Sequence, residues 1–337
     1  MPAGIEERLT HTERDKMAKR ILITGFSGFV GRHFINFLYE EKINAEVLGI
    51  DLREPAFDTD SFKGILDISF KSVNLLDEEA LREVLLSFRP DYILHLASFS
   101  SVAYSWQHPE ECFVNNTNIF LNLTSAVKDM KLNCRILSIG SSEEYGNVDK
   151  SMLPLREDMS LTPVSPYAVA RVSQEMLSRV FVDSYKQNII LTRSFNHIGP
   201  WQDDRFVVPS FLKRIMDIKA SGAKSGTIET GDTTIIRDFV DVRDVVKAYY
   251  LLLTKGTPGE IYNICSGRGI ALSDIIVEMA DLVGVEVKTK VNPEFVRPND
   301  NRVIIGSYEK INKELGWEPV MDLRTTLSDM LKERESR

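Results

Sequence analysis

The chain has 337 residues, of which 43% are hydrophobic and 27% charged, and this composition excludes an intrinsically disordered or fibrous protein. Its 41 basic and 49 acidic residues give a net charge of −8, which argues against a broad basic surface for nucleic acid. No apolar run approaches the roughly 20 residues that span a bilayer. We therefore expect one large domain or two unequal ones, with neither a nucleic-acid nor a membrane partner.

Residues 1–18 are predicted to be a charged N-terminal extension, because they lack the apolar segment of a secretory signal. The three cysteines, Cys112, Cys134 and Cys265, are odd in number and far apart. Such spacing fits neither a disulfide framework nor a zinc site. The sequence therefore predicts reduced thiols, no metal centre and a cytoplasmic location.

Apolar runs and helical patterns alternate through the first two hundred residues. Strands are predicted at 20–24, 46–51, 92–97, 135–140 and 189–195, and helices at 28–41, 78–88, 113–131 and 166–187. The runs at 20–24 and 92–97 are continuously apolar, which is typical of parallel strands covered by helices on both faces. The predicted fold class is α/β, a doubly wound parallel sheet over residues 19–200.

Beyond residue 200 the predicted elements become shorter. Helices are predicted at 209–220, 242–253 and 273–283, and a strand at 227–230. No stretch has the composition of a flexible linker. Residues 201–337 are therefore predicted to form mainly a smaller, mixed α/β substrate-binding domain, with the chain crossing back to the first sheet near 237–265.

A glycine-rich turn joins the first strand to the first helix. Gly25, Gly28 and Gly31 are spaced Gly-x-x-Gly-x-x-Gly, and the backbone N–H groups at such a helix N-terminus bind phosphate. Asp51 ends the next strand, twenty positions after Gly31, where a carboxylate accepts hydrogen bonds from ribose hydroxyls. The pattern predicts a dinucleotide cofactor.

The identity of that cofactor depends on Asp51 and Arg53. A 2′-phosphate beside Asp51 would meet a like charge, at a cost of about 3 kcal/mol for a separation of ~5 Å and an effective dielectric constant of ~20. Arg53 lies two positions further along an extended segment, on the same side, and offers that phosphate a countercharge. NAD(H) is therefore favoured and NADP(H) stays open.

A second motif places a phenol beside a cation. Ser165 and Pro166 begin a helix on which Tyr167 and Arg171 lie one turn apart on one face. A cation ~5 Å from a phenol favours the phenolate by about 3 kcal/mol, which makes Tyr167 a candidate proton donor or acceptor. Taken alone, these residues would more often be a tyrosine beside an exposed arginine. The serine-rich turn at 141–146 favours a functional site, because it ends a strand at the edge where such sheets bind ligands.

Together these motifs resemble the extended branch of the short-chain dehydrogenase/reductase superfamily, whose sheet is Rossmann-like. The resemblance implies that Ser141 bonds the substrate carbonyl or hydroxyl and that Tyr167 exchanges its proton with the substrate. Arg171 stands where the superfamily usually has lysine. Arginine keeps the positive charge and can bond the nicotinamide ribose, but it does not give up a proton. We therefore expect the electrostatic support of Tyr167 to persist and a proton relay through residue 171 to be lost.

Motifs in the second half narrow the resemblance to enzymes of nucleotide sugars. They lie at 194–200, 237–244, 262–267, 297–298 and 316–319. In order and content they resemble the GDP-4-keto-6-deoxy-D-mannose reductases, with the GDP-mannose 4,6-dehydratases as near neighbours. The implied substrate is a nucleotide sugar, with a GDP-linked sugar favoured.

The resemblance also implies which residues contact the ligands. The implied cofactor contacts are Gly25, Gly28, Phe29, Val30, Gly31, Asp51, Arg53, Leu75, Leu96, Ala97, Ser98, Tyr167, Arg171, Phe195 and His197. The implied substrate contacts are Ser142, Glu143, Asn196, Val207, Arg237 and Arg297. The two arginines suit the diphosphate, because a guanidinium makes paired hydrogen bonds with phosphate oxygens.

Glu143 leaves more than one reaction open. In the 4,6-dehydratases a carboxylate two residues after the catalytic Ser or Thr removes the C5 proton, and some reductases carry a carboxylate there as well. The expected function is reduction of a GDP-4-keto-6-deoxy-hexose at C4 with NAD(P)H. The alternatives are a dehydratase, epimerase or C4 dehydrogenase that retains NAD, and a non-catalytic NAD-binding scaffold.

The helices predicted at 113–131 and 166–187 resemble the pair that forms a four-helix dimer interface in this superfamily. The resemblance therefore implies a homodimer.

Overall fold

A computed structural model describes residues 18–296 and 301–337. Its main sheet has seven strands in the order β10-β6-β5-β4-β1-β2-β3, and all neighbouring strands are parallel. The strands are β1 (Lys19–Thr24), β2 (Ala45–Asp51), β3 (Leu66–Ser72), β4 (Tyr92–His95), β5 (Arg135–Ser141), β6 (Asn188–Ser194) and β10 (Ile261–Ile264). The order reverses between β1 and β4, so the sheet is doubly wound.

Ten α-helices accompany the strands in the described part of the chain. They are α1 (Phe29–Glu40), α2 (Glu78–Phe88), α3 (Val102–Gln107), α4 (Pro109–Asp129), α5 (Pro166–Tyr185), α6 (Val207–Ala220), α7 (Val242–Lys255), α8 (Leu272–Val283), α9 (Glu309–Leu315) and α10 (Leu323–Glu335). α1 and α7 pack on one face of the main sheet, and α2, α4 and α5 on the other.

The continuous apolar character of β1 follows from this layering. Ile21 and Ile23 are buried in the core beneath α1 and α7, while Leu22, between them, is buried in the core beneath α2 and α4. Successive side chains of a strand point to opposite faces, so a strand covered on both sides needs apolar residues at every position. The predicted fold class is confirmed.

β3 is one of several strands that the sequence prediction missed. The pattern led directly from the strand at 46–51 to the helix at 78–88, but β3 lies between them at the edge of the sheet, paired with β2. In β3 the apolar residues alternate with Asp67, Ser69 and Lys71, and most side chains of the strand are at least partly exposed. An edge strand has one unpaired side, so it tolerates polar residues that break the apolar run.

The second half builds smaller sheets. β9 (Ile236–Asp241) pairs with β7 (Asn196–Ile198), β11 (Gly269–Ala271) and β13 (Val303–Ile304), while β8 (Ser225–Thr230) pairs with β12 (Glu286–Val291). A separate apolar core lies among α6, α8 and α10. Between these elements the chain returns to the main sheet through α7 and β10. The domain limits themselves stay a prediction.

Cys112, Cys134 and Cys265 are buried free thiols. Burial raises the pKa of the Cys134 thiol to about 12, which keeps it protonated at neutral pH. In the described residues no group of three or more metal-ligating side chains is close enough to hold an ion. No helix in the same part of the chain is long and apolar enough to cross a membrane.

Candidate active site

The glycine turn after β1 has the shape of a phosphate cradle. Gly25 adopts φ +70°, and a Cβ there would lie 2.7 Å from the backbone nitrogen of Ala97. A Cβ at Gly31 would lie 2.3 Å from the carbonyl oxygen of Phe26. Gly28 precedes α1 and gives it no side-chain cap, so no side chain competes for the N–H groups of the first turn, which includes Phe29 and Val30. These residues therefore fit the pyrophosphate of a dinucleotide.

Asp51 is fixed at the end of β2 beside that turn. One carboxylate oxygen accepts a hydrogen bond from the Ser27 amide at 3.1 Å, and the other accepts one from the Leu52 amide at 2.7 Å. Ser27 also donates its hydroxyl to the carbonyl oxygen of Arg53 at 2.6 Å. Each carboxylate oxygen can accept a further bond, so Asp51 is placed to receive ribose hydroxyls. The Arg53 side chain is exposed.

The ends of β1 and β4 meet at the same edge. The amide of Leu96 donates to the carbonyl oxygen of Thr24 at 3.0 Å, and the amide of Ala97 donates to the Thr24 hydroxyl at 3.2 Å. Leu75, which follows β3, is buried in the core on the α2 side. Ser98 continues this segment toward Arg171. The structure therefore gathers these predicted cofactor contacts at the carboxyl ends of the strands, where such sheets bind ligands.

Tyr167 and Arg171 form the centre of the candidate site. α5 begins where predicted, with the Ser165 hydroxyl accepting a hydrogen bond from the Ala168 amide and Pro166 in the first turn. Both functional side chains are buried, with 7% of Tyr167 and 4% of Arg171 exposed. Arg171 Nε donates to the phenolic oxygen of Tyr167 at 3.2 Å. The alternative interpretation, a tyrosine beside an exposed arginine, is therefore wrong.

The serine-rich turn lies beside α5. Ser141 ends β5 and caps a 3₁₀ turn over Ser142–Tyr145, which contacts α5. The Ser141 hydroxyl oxygen accepts a hydrogen bond from the Glu143 amide at 3.2 Å. This bond orients the oxygen, and the hydroxyl hydrogen can still be donated to a ligand. Ser142 is buried and Glu143 is partly exposed.

Glu144 is a neighbour of the candidate site that the sequence prediction missed. One of its carboxyl oxygens accepts a hydrogen bond from the Ser141 amide at 2.6 Å, and the side chain is fully buried. Burial, followed by the nearby Glu175, raises the pKa of Glu144 to about 8. The spacing of Ser141 and Glu144 is that of a capping box, the signal that points to this role.

A buried ion pair supports the turn from below. Arg193 of β6 donates from Nε and Nη2 to the two carboxylate oxygens of Glu175 on α5, at 2.9 and 3.0 Å. The Arg193 guanidinium also lies 4.8 Å from the centre of the Tyr145 ring. The pair thus joins β6, α5 and the 3₁₀ turn into one unit.

Residues after β6 reach back to α1. His197 Nδ1 lies 3.1 Å from the carbonyl oxygen of Phe195, and its ring stacks on that of Phe29 with 6.2 Å between centres. Burial lowers the pKa of His197, so the imidazole is neutral at neutral pH. The Phe195 side chain is buried against Tyr145 and Cys265. Only the backbone of Phe195 is therefore left to face a cofactor.

The predicted substrate contacts are more dispersed. Asn196 begins β7 and is partly exposed, and Val207 is the exposed first residue of α6. Arg237 is buried in β9, where Nη1 donates to the carbonyl oxygen of Ile236 at 3.0 Å. Arg297 lies outside the described residues. The binding roles of these four residues stay predictions.

Sequence comparison connects the chain to enzymes of GDP-sugar metabolism. A family model described as GDP-mannose 4,6 dehydratase matches residues 22–330. GDP-6-deoxy-D-mannose reductase from Pseudomonas aeruginosa is 31% identical, over 95% of this chain and 99% of the relative. GDP-6-deoxy-D-talose 4-dehydrogenase from Aggregatibacter actinomycetemcomitans is 28% identical, over 94% and 98%.

Solved structures agree with this relationship. The structure of RMD from Pseudomonas aeruginosa complexed with NADPH matches with a TM-score of 0.79 and 30% identity, over 95% of this chain and 99% of that one. UDP-glucose 4-epimerase from Thermotoga maritima with UDP-glucose matches with a TM-score of 0.82 and 29% identity, over 94% and 98%.

The raised pKa of Glu144 predicts a pH-dependent stability. Its carboxyl is protonated in the folded protein up to about pH 8, but the ordinary value is 4.5, so folding takes up a proton between these limits. The contribution of Glu144 to the free energy of unfolding of the parent therefore falls as the pH rises through this window. Glutamine stays neutral and removes this dependence. We expect the Glu144→Gln variant to melt near the parent Tm at about pH 5 and roughly 3 °C above it at about pH 8.5.

The control is Glu83→Gln, on the exposed side of α2. Its melting temperature should follow that of the parent at every pH. Melting curves in which Glu144→Gln and the parent keep a constant difference across the window would contradict a protonated Glu144.

Proposed function

The chain belongs to the GDP-mannose 4,6 dehydratase family of the extended short-chain dehydrogenase/reductase superfamily, and on that premise we propose that it reduces the 4-keto group of a GDP-4-keto-6-deoxy-hexose, namely GDP-4-dehydro-6-deoxy-D-mannose. Family membership confirms the prediction of an NAD(P)-dependent oxidoreductase. The proposal is carried by the buried hydrogen bond from Arg171 to Tyr167, because it gives the phenol a cation that can support its phenolate. The similarity to a GDP-6-deoxy-D-mannose reductase supports the choice of substrate.

The side chains have distinct roles in this reaction. The glycine turn would hold the pyrophosphate of NAD(P)H, and the bound cofactor would supply the hydride for C4. Ser141 donates a hydrogen bond to the carbonyl oxygen at C4 and fixes its position. Tyr167 transfers its proton to that oxygen, so the ketone becomes an alcohol and the phenol becomes a phenolate. Arg171 stabilises the phenolate through the N–H bond it already makes.

A second candidate rests on Glu143. Its amide bonds the Ser141 hydroxyl, so residue 143 is next to the group that would hold the sugar. A carboxylate there could remove the C5 proton of a 4-keto sugar and allow water to leave from C6, which is the 4,6-dehydratase reaction with retained NAD. The similarity to a GDP-sugar 4-dehydrogenase keeps oxidation at C4 among the candidates as well. The contact between Arg171 and Tyr167 disfavours a non-catalytic scaffold, because burying two polar side chains costs free energy that a scaffold has no need to spend.

The test supplies the purified protein with GDP-4-dehydro-6-deoxy-D-mannose and NADPH or NADH. We expect absorbance at 340 nm to fall in proportion to the ketone consumed, because one hydride is transferred for each ketone. Tyr167→Phe removes the proton donor and should lower kcat by at least about 10²-fold. Tyr185→Phe, at the exposed end of the same helix, is the matched control and should keep the parental rate.

Two outcomes would overturn the reductase assignment. One is loss of the 4-keto sugar without any change at 340 nm. The other is conversion of GDP-mannose to a 4-keto product by protein that brings its own NAD, with loss of that reaction in Glu143→Gln. The second outcome would establish the dehydratase.

We propose NAD(H) as the preferred cofactor, since the fixed Asp51 carboxylate repels a 2′-phosphate. Asp51→Ala should weaken NADH binding about tenfold and leave NADPH binding unchanged or tighter. Isothermal titration in the absence of substrate measures both dissociation constants. Arg53→Ala is the companion variant and should weaken NADPH alone. Parent protein that binds NADPH more tightly than NADH would contradict this preference and indicate that Arg53 holds the 2′-phosphate.

We propose a homodimer formed by α4 and α5. These helices pack side by side and share an exposed apolar surface, contributed by Phe113, Val114 and Leu121 from α4 and by Val169, Met176 and Val180 from α5. On α5 these positions lie seven and four residues apart, so they line one face. An apolar helix pair of this kind is typical of an interface between copies.

Val180→Asp should dissociate this dimer. Val180 is 51% exposed in a single copy, and a carboxylate there would be buried in the dimer near the same carboxylate of the second copy. Sedimentation should give about twice the chain mass of 38.3 kDa for the parent and a single chain mass for the variant. Val277→Asp, on the exposed face of α8, is the control and should stay dimeric. A parent that sediments as a monomer would contradict the proposal.

We also propose a cytoplasmic location. Three buried free thiols suit a compartment that keeps cysteine reduced.

A further inference from the structure

Arg171 is held by more than Tyr167. Nη1 donates to the carbonyl oxygen of Ile139 at 2.9 Å and to Gln174 Oε1 at 2.8 Å, and Nη2 donates to the Ser98 hydroxyl at 2.5 Å. With the Nε bond to Tyr167, four of the five N–H groups of a guanidinium have partners among the described residues. A lysine amine carries three donors on one atom and cannot reach four such separate partners.

Gln174 is the one side chain in this set that bonds both Arg171 and the core behind it. It lies one turn after Arg171 on α5 and is 1% exposed. Its amide nitrogen donates to the Ser138 hydroxyl at 2.9 Å and to the carbonyl oxygen of Ile139 at 3.2 Å. The Ser178 hydroxyl lies 3.2 Å from that of Ser138. The Gln174 amide therefore has its oxygen and both hydrogens committed and is fixed in orientation.

We propose that Gln174 is a positioning residue of the redox site, which acts by locking the Arg171 guanidinium in the plane that directs Nε at the Tyr167 oxygen. The Arg171 side chain has several rotatable bonds. Without the Gln174 oxygen, only Ile139 and Ser98 would restrain rotation of the guanidinium about Cδ–Nε, and its bond to the phenol would weaken. The geometry thus assigns to the Arg171–Gln174 pair the task that a single lysine has elsewhere in the superfamily. The proposal deepens the proposed reductase function and rests on it for its kinetic test alone.

Other titratable groups lie around this pair, and their ionisation must be distinguished from the effect of the pair on Tyr167. Burial and Arg171 lower the pKa of His95, at the end of β4, to about 3. Burial raises the pKa of Cys112 on α4 and of Tyr249 on α7. These three groups stay neutral near neutral pH. Glu144, with a pKa of about 8, does titrate there, so each pH profile is measured with Glu144→Gln as the common background.

The test is a double-mutant cycle of Gln174→Leu and Arg171→Lys. Gln174→Leu should lower kcat for the keto sugar about tenfold, change KM less than about twofold, and move the alkaline limb of the kcat profile to higher pH, because the phenolate loses its fixed donor. In the Arg171→Lys background the same change should cost less than about twofold. Gln174→Glu keeps an oxygen acceptor for Arg171 and should restore kcat to within about threefold of the parent.

Ser178→Ala is the matched control, since it removes a hydroxyl from the same buried network without touching Arg171. It should leave the pH profile in place. If Gln174→Leu does not fold, Gln174→Met takes its place in the cycle. Equal losses of kcat in both backgrounds, or an unmoved alkaline limb, would show that Gln174 is only structural and overturn the proposal.

A measurement without substrate separates this proposal from the reductase assignment. The absorbance of phenolate near 295 nm, taken as the difference between the parent and Tyr167→Phe, follows the ionisation of Tyr167 alone. The same difference, taken between Gln174→Leu and Gln174→Leu with Tyr167→Phe, should have its midpoint at higher pH. A shifted midpoint in a protein that does not reduce the keto sugar would refute the reductase and retain the positioning role. An unshifted midpoint in an active reductase would refute the positioning role and retain the reductase assignment.

Discussion

The candidate site depends on the buried ion pair between Arg193 and Glu175. Its two parallel hydrogen bonds join β6 to α5, and both partners are almost completely removed from solvent. Removing either partner of such a pair costs about 3–5 kcal/mol, because the other charge is left buried and alone. α5 carries Tyr167 and Arg171, so this contact helps to fix the position of the phenol relative to the sheet, together with the bonds from Arg171 and Gln174 to β5.

The same pair controls the charge beneath the serine-rich turn. Glu144 lies beside Glu175, and two ionised carboxylates in so little water would repel each other strongly. A single guanidinium compensates one of them, so the other keeps its proton. The neutral Glu144 can then accept the Ser141 amide hydrogen without adding a second negative charge below the site. Glu144 thereby orients Ser141 without adding a net charge beside it.

Position 171 shows how an arginine in place of the superfamily's usual lysine changes the arrangement of the candidate site. Arginine and lysine carry the same charge, but a guanidinium distributes its donors over three nitrogens in one plane. In this chain four of the five N–H groups in that plane have partners among the described residues, namely the phenol, a strand carbonyl, an amide and a serine hydroxyl. The cation gains a fixed direction and loses the mobility and the exchangeable proton of an amine. The proposed reductase reaction needs the first property, because the phenol must release a proton and carry a compensated charge.

The sequence alone predicted the α/β fold class, the glycine-rich turn and the family. Glycine spacing, an acid after β2 and continuous apolar strands are local features with few structural solutions, and the helix start at Ser165 follows from its cap and its proline. Edge strand β3 escaped because polar residues are tolerated at an edge. The tertiary structure decided that Arg171 is buried, that Gln174 and Ser98 hold it, and that Glu144 keeps a proton beside Glu175. Burial and charge pairing depend on which distant segments meet, and one-dimensional spacing carries no such information.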